Sequence, residues 1–89
     1  MEQYLISLTA SLIRRVREAH HLTQEELSAR AGLDRTYISG VERGVRNISL
    51  KSLGKILKAL ELDIPMFCKE LSREFDLAFV DRSETNCDQ

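Results

Sequence analysis

The sequence specifies an all-α fold, and two observations carry that reading. Only one Pro and four Gly interrupt 89 residues, of which 43% are hydrophobic and 30% charged, a globular composition that leaves most of the chain free to be helical. Apolar side chains then recur at three- and four-residue spacing in one segment after another, the period of helices with one buried face. At this length a single domain has a marginal core, which a second subunit often completes.

The first helix is expected from about Gln3 to His20. Leu5, Leu8, Leu12, Ile13, Val16 and, at its limit, Ala19 form its stripe, with Arg14, Arg15 and Glu18 opposite. The stretch from Thr23 to Arg46 holds two short helices. Thr23 and Glu26 form a capping box that opens the first of them, Gly32 supplies the left-handed residue that ends it, and Asp34 offers an oxygen to cap the next. Helices joined so tightly must cross steeply, the helix-turn-helix geometry, with Leu27, Ala31, Leu33, Ile38 and Val41 inside. Gly44 stops the third helix. Ser49 caps a fourth that runs to about Leu60 with Leu50, Leu53, Ile56, Leu57 and Leu60 apolar, and Pro65 suits the first turn of a fifth.

With Ile38 and Val41 inward, Thr36, Ser39, Gly40 and Arg43 share the opposite face of the third helix, flanked by Arg35 and Tyr37. Such a face has hydrogen-bonding groups and little bulk, which suits a DNA major groove. Arg35, Thr36, Tyr37, Ser39 and Gly40 are the expected base contacts, Arg35 being the best guanine reader. Gly40 costs about 1 kcal/mol relative to Ala inside a helix, so its missing side chain reflects either close approach to DNA or a lax helix end.

Phosphate contacts are expected from Gln24, Arg43, Arg46, Asn47, Lys51 and Ser52, because helix N-termini favour anions and positioning contacts go to the backbone. The net charge of −1 argues against nucleic acid until its distribution is considered. Residues 34–55 carry five basic side chains against two acidic, whereas residues 61–89 carry three basic against eight acidic. The C-terminal third should face away from phosphates.

Phe67, Leu71, Phe75 and Phe79 recur every four residues, a stripe that serves either as monomer core or as a dimer seam. Leu60, Ile64, Met66, Phe67 and Leu71 are the expected seam residues, with Phe67 as anchor. Residues 1–80 then form one DNA-binding domain that includes its dimerisation helix. Residues 81–89 read as a disordered acidic tail.

The segment from Leu12 to Phe67 resembles the Cro/repressor-type (XRE) helix-turn-helix proteins. The string Leu33-Asp34-Arg35-Thr36-Tyr37-Ile38-Ser39-Gly40-Val41-Glu42-Arg43-Gly44, followed by Arg46-Asn47, looks most like the small controller proteins of restriction-modification systems. The resemblance implies a compact five-helix, lambda-repressor-like domain. It also implies that Arg46 and Asn47 lie against the DNA backbone and that Arg17 pairs with Glu42, locking the first helix to the third. Ser28 stands where that family usually has Ala.

Cys68 and Cys87 lack metal-ligand spacing, and His20 and His21 lack partners nearby in sequence, so no metal or cofactor is expected. Cys68 fits an apolar helical pattern and is expected to be buried, and Cys87 to be a free exposed thiol. No signal-peptide progression or long apolar run appears, so neither membrane nor secretion is expected and the location is cytoplasmic. No catalytic constellation or small-molecule site is present. The reading is a transcription regulator on double-stranded DNA, a homodimer on a palindromic promoter operator, with tetramers on DNA left open. The alternative is a phage-type repressor or an antitoxin with a protein partner.

Overall fold

The structure, a computed structural model, describes residues 1–87, with side chains as far as Phe79. Five helices follow in order: α1 (Glu2–Ala19), α2 (Gln24–Ala31), α3 (Arg35–Glu42), α4 (Leu50–Ala59) and α5 (Ile64–Cys87). There is no strand among the described residues.

Local chemistry sets most helix starts. Thr23 Oγ1 accepts from the Glu26 amide at 3.0 Å while the Glu26 carboxylate accepts from the Thr23 amide at 2.8 Å, completing the capping box. These bonds hold the Glu26 carboxyl below the usual carboxylate range. Ser49 caps α4 through the Ser52 amide at 3.0 Å. Asp63 caps α5 through the Met66 amide at 2.8 Å. Asp34 occupies the cap position of α3 with extended backbone, but its side chain makes no capping bond, contrary to expectation. Only its carbonyl engages the helix, accepting from the Ile38 amide.

Three helix ends close alike. At α1 the His21 amide donates to the Glu18 carbonyl and the Leu22 amide to that of Arg17, the paired bonds of a Schellman turn. At α4 Glu61 and Leu62 repeat the pattern against Lys58 and Leu57, and at α3 Gly44 and Val45 repeat it against Val41 and Gly40. Gly44 takes the left-handed residue at φ 73°, but His21 (57°) and Glu61 (60°) do so without being glycine. The residue after each of those two turns is tucked in: Leu22 is buried, and Leu62 packs against the core.

The core joins Leu12, Ile13 and Val16 of α1 to Leu27 and Ala31 of α2, Ile38 and Val41 of α3, and Ile56 and Leu60 of α4. Ser28 is buried too, its hydroxyl donating to the Glu25 carbonyl at 2.8 Å, so it replaces Ala without an unmet polar group. Five expectations are corrected. Leu60 is 1% exposed and belongs to the monomer core, leaving it no surface for a seam. Leu50, expected inside, is 86% exposed because the first residue of α4 projects outward. Ala19 and Cys68 are exposed. The backbone is helical as far as Cys87, so the acidic tail expected from residue 81 begins inside α5; its last two residues, and the Cys87 thiol, lie outside what is described.

α5 is fixed to α1 by more than apolar contact. Arg15 donates to both Glu70 and Glu74, and Glu74 is buried. The hydrogen bond from Arg15 holds the Glu70 carboxyl below its ordinary range despite the opposing effect of burial.

Candidate nucleic-acid interface

The interface begins with a clamp beneath it. Arg17 Nε and Nη2 donate to Glu42 at 2.7 and 3.0 Å, and Arg17 Nη1 donates to the Leu22 carbonyl at 2.7 Å. The two side chains are 11% and 3% exposed, so the pair is nearly dry, and the bonds to Glu42 raise the pKa of the guanidinium. Gln24 Nε2 donates to the same carboxylate at 3.0 Å. One Gln24 N–H is therefore committed to Glu42, while an amide nitrogen has a second to offer a phosphate. α1, α2 and α3 are thus tied at one carboxylate.

Above this clamp α3 turns its polar face outward. Arg35 and Thr36 are exposed and Tyr37 is half-buried, its ring packed against the core. Arg35 has only a loose, exposed ion pair with Glu25, at 3.9 Å, leaving its guanidinium available. Arg43 lies along α3, Nε donating to the Ser39 carbonyl at 3.3 Å. Arg46 folds back from the loop so that its guanidinium lies 5.8 Å from the centroid of the Tyr37 ring, within cation–π range. Thr36, Tyr37, Arg46 and Ser52 line one shallow hollow, which joins the face of α3 to the start of α4.

Gly40 is buried beneath the Arg46 side chain, which supplies a reason for a glycine there other than contact with a base. Asn47 lies on the other side of the loop, lining an apolar groove with Leu5, Leu50, Leu53, Phe67 and Leu71. Of the expected seam residues, Phe67 and Leu71 pack against the core while lining that groove, and Ile64 and Met66 are exposed. The sequence reading missed Leu50 as a surface residue. The signal was available in Ser49, since a cap places the next residue in the first turn, where one side points to solvent.

Among the described residues no three His, Cys, Asp or Glu side chains gather to hold a metal ion, and no helix is long and apolar enough to cross a membrane.

Residues 13–67 match the sequence profile of a family described as helix-turn-helix. Control protein C.SmaI of Serratia marcescens is 41% identical over 58 residues, covering 65% of this chain and 69% of that protein. The HTH-type transcriptional regulator y4dL of Sinorhizobium fredii is 44% identical over 59 residues, covering 66% of this chain but only 30% of that protein's length. Among solved structures, the restriction-modification controller protein C.Esp1396I, as a tetramer in complex with its natural 35 base-pair operator, superposes with a TM-score of 0.76 at 43% identity. That match covers 79% of this chain and 92% of the other.

Proposed function

Because the chain belongs to the helix-turn-helix family, we propose that it is a sequence-specific transcription regulator of the restriction-modification controller type, acting on promoter DNA. The observation that carries the reading is the convergence of Thr36, Tyr37, Arg46 and Ser52 on one hollow, built from α3, the loop after it and the start of α4, with Arg35 exposed at the start of α3. On this reading α3 enters the major groove, Arg35, Thr36, Tyr37 and Ser39 meet base edges, and Gln24, Arg43, Arg46, Lys51 and Ser52 hold the backbone. The clamp at Glu42 fixes α3 relative to α1 and α2, so the reading surface is formed before DNA arrives.

The protein acts as a two-fold dimer, since one recognition helix reads few base pairs and two set one DNA turn apart read a palindrome. The groove between α1, α4 and α5 is the seam. It combines Leu50, 86% exposed, with Leu53, Phe67 and Leu71, an apolar surface of the kind a partner covers. C.Esp1396I forms a tetramer on its operator, and paired dimers on a double operator are the assembly we assign here. The protein works in the cytoplasm, without catalysis and without a cofactor. Footprinting on the DNA upstream of its own gene tests the reading: a protected palindrome, absent from a shuffled duplex of equal composition, is expected, and uniform protection of both would overturn it.

A further inference from the structure

We propose that Gly40 is a positioning residue for operator recognition that acts through Arg46, its missing side chain seating the Arg46 stem so that the guanidinium lies across Tyr37. The inference rests on the DNA-binding reading above. A Cβ built at Gly40 would lie 2.5 Å from Arg46 Cγ, and 3.5 and 3.7 Å from its Cβ and Cδ. A methyl group there would displace the root of the Arg46 side chain rather than its mobile tip.

The loop has little room to retreat. The amides of Val45 and Arg46 both donate to the Gly40 carbonyl, at 3.0 and 3.2 Å, so the residue that would carry the methyl also anchors the backbone of the side chain it would strike. Gly44 fixes the start of the turn at φ 73°. Relief must then come from rotation about the Arg46 Cα–Cβ bond, which swings the guanidinium away from the Tyr37 ring, 5.8 Å from it here. Tyr37 lies one helical turn before Gly40, so α3 carries both the ring and the gap that lets Arg46 reach it. Gly40 itself is buried. It shapes the surface offered to DNA by what it makes room for, and a pre-set Arg46 has less side-chain freedom to lose on binding.

A double-mutant cycle on the full chain tests this with Gly40→Ala, Arg46→Ala and both together. Without DNA, Gly40→Ala should move the Tyr37 ring proton resonances as Arg46→Ala does, and should move them no further once Arg46 is gone. Thermal unfolding should show Gly40→Ala stabilising the Arg46→Ala protein, where alanine acts only as the better helix former, and failing to stabilise the wild type. On a duplex enriched by the wild-type protein from a randomised pool, Gly40→Ala should cost about tenfold in affinity, in the range of coupling between touching residues, and nothing further beside Arg46→Ala. Unmoved Tyr37 resonances, or equal affinity losses in both backgrounds, would overturn the proposal, the latter because the methyl would then be meeting DNA directly. If the wild-type protein enriches no duplex, it is the DNA-binding reading that fails, and the DNA-free measurements still decide the coupling.

Discussion

Arg17 on α1 and Glu42 at the end of α3 meet through two hydrogen bonds, 2.7 and 3.0 Å long, with the Glu42 side chain 3% exposed. Burying both charges offsets much of the attraction between them, so the pair's role is to fix the crossing of α1 and α3 rather than to add net stability. Removing one partner is different, because it leaves the other charge buried and alone.

Glu42→Ala should therefore destabilise the fold by about 3 to 5 kcal/mol, and the double replacement Arg17→Met with Glu42→Leu by much less. Urea unfolding of the three proteins checks this. A loss below about 1 kcal/mol for Glu42→Ala would place the pair among ordinary surface ion pairs.

A second expectation concerns acid. The bond from Arg15 depresses the pKa of Glu70 in the folded state, so the stability it contributes is present above the unfolded value, about 4.3, and is lost as pH falls through the lower folded value. Chemical unfolding at pH 6 and at pH 3 should show that Arg15→Met lowers stability at the higher pH and narrows the difference between the two. An unchanged difference would mean that Arg15 does not govern Glu70.

How far these relationships were readable beforehand follows from their sequence range. Thr23, Gly32 and Ser49 mark helix ends through bonds to residues three or four positions away, and the sequence located all three. His21 and Glu61 adopt the left-handed backbone that glycine usually supplies, so no residue type announced those turns. Leu60 fits the apolar helical period of α4, and only the packing of α4 on α2 makes it core rather than seam. Arg15 lies 55 residues from Glu70 and 59 from Glu74, separations that no local pattern spans. The role of Gly40 depends on a loop returning over α3, which the helix's own sequence does not encode.

Base readout and backbone contact should separate on mutation. Arg35→Ala is expected to remove about 1 to 3 kcal/mol of discrimination at one base pair, whereas Arg46→Ala should weaken all duplexes about equally and flatten the slope of log affinity against log salt by about 1. Titrations of single-base operator variants across a salt series check both. Retention of the wild-type base preference by Arg35→Ala would remove Arg35 from the reading face.

The seam can be tested without disturbing the core. Leu50 is 86% exposed, so Leu50→Glu should leave the monomer's unfolding free energy within about 0.5 kcal/mol while shifting sedimentation from dimer to monomer and weakening operator binding. Phe67→Ala makes a useful contrast, since Phe67 packs against the core as well as lining the groove and should lose both fold stability and dimer. A Leu50→Glu protein that remains a full-strength dimer would put the seam elsewhere.

The central claim is that two copies of this chain read a palindrome through α3. Selection of duplexes by the purified wild-type protein from a fully randomised pool, followed by sequencing, tests it most directly. The expected result is an inverted repeat whose half-sites are centred one helical turn apart, about 34 Å or 10 base pairs. Recovery of a single unrepeated half-site, or no enrichment over the starting pool, would contradict it.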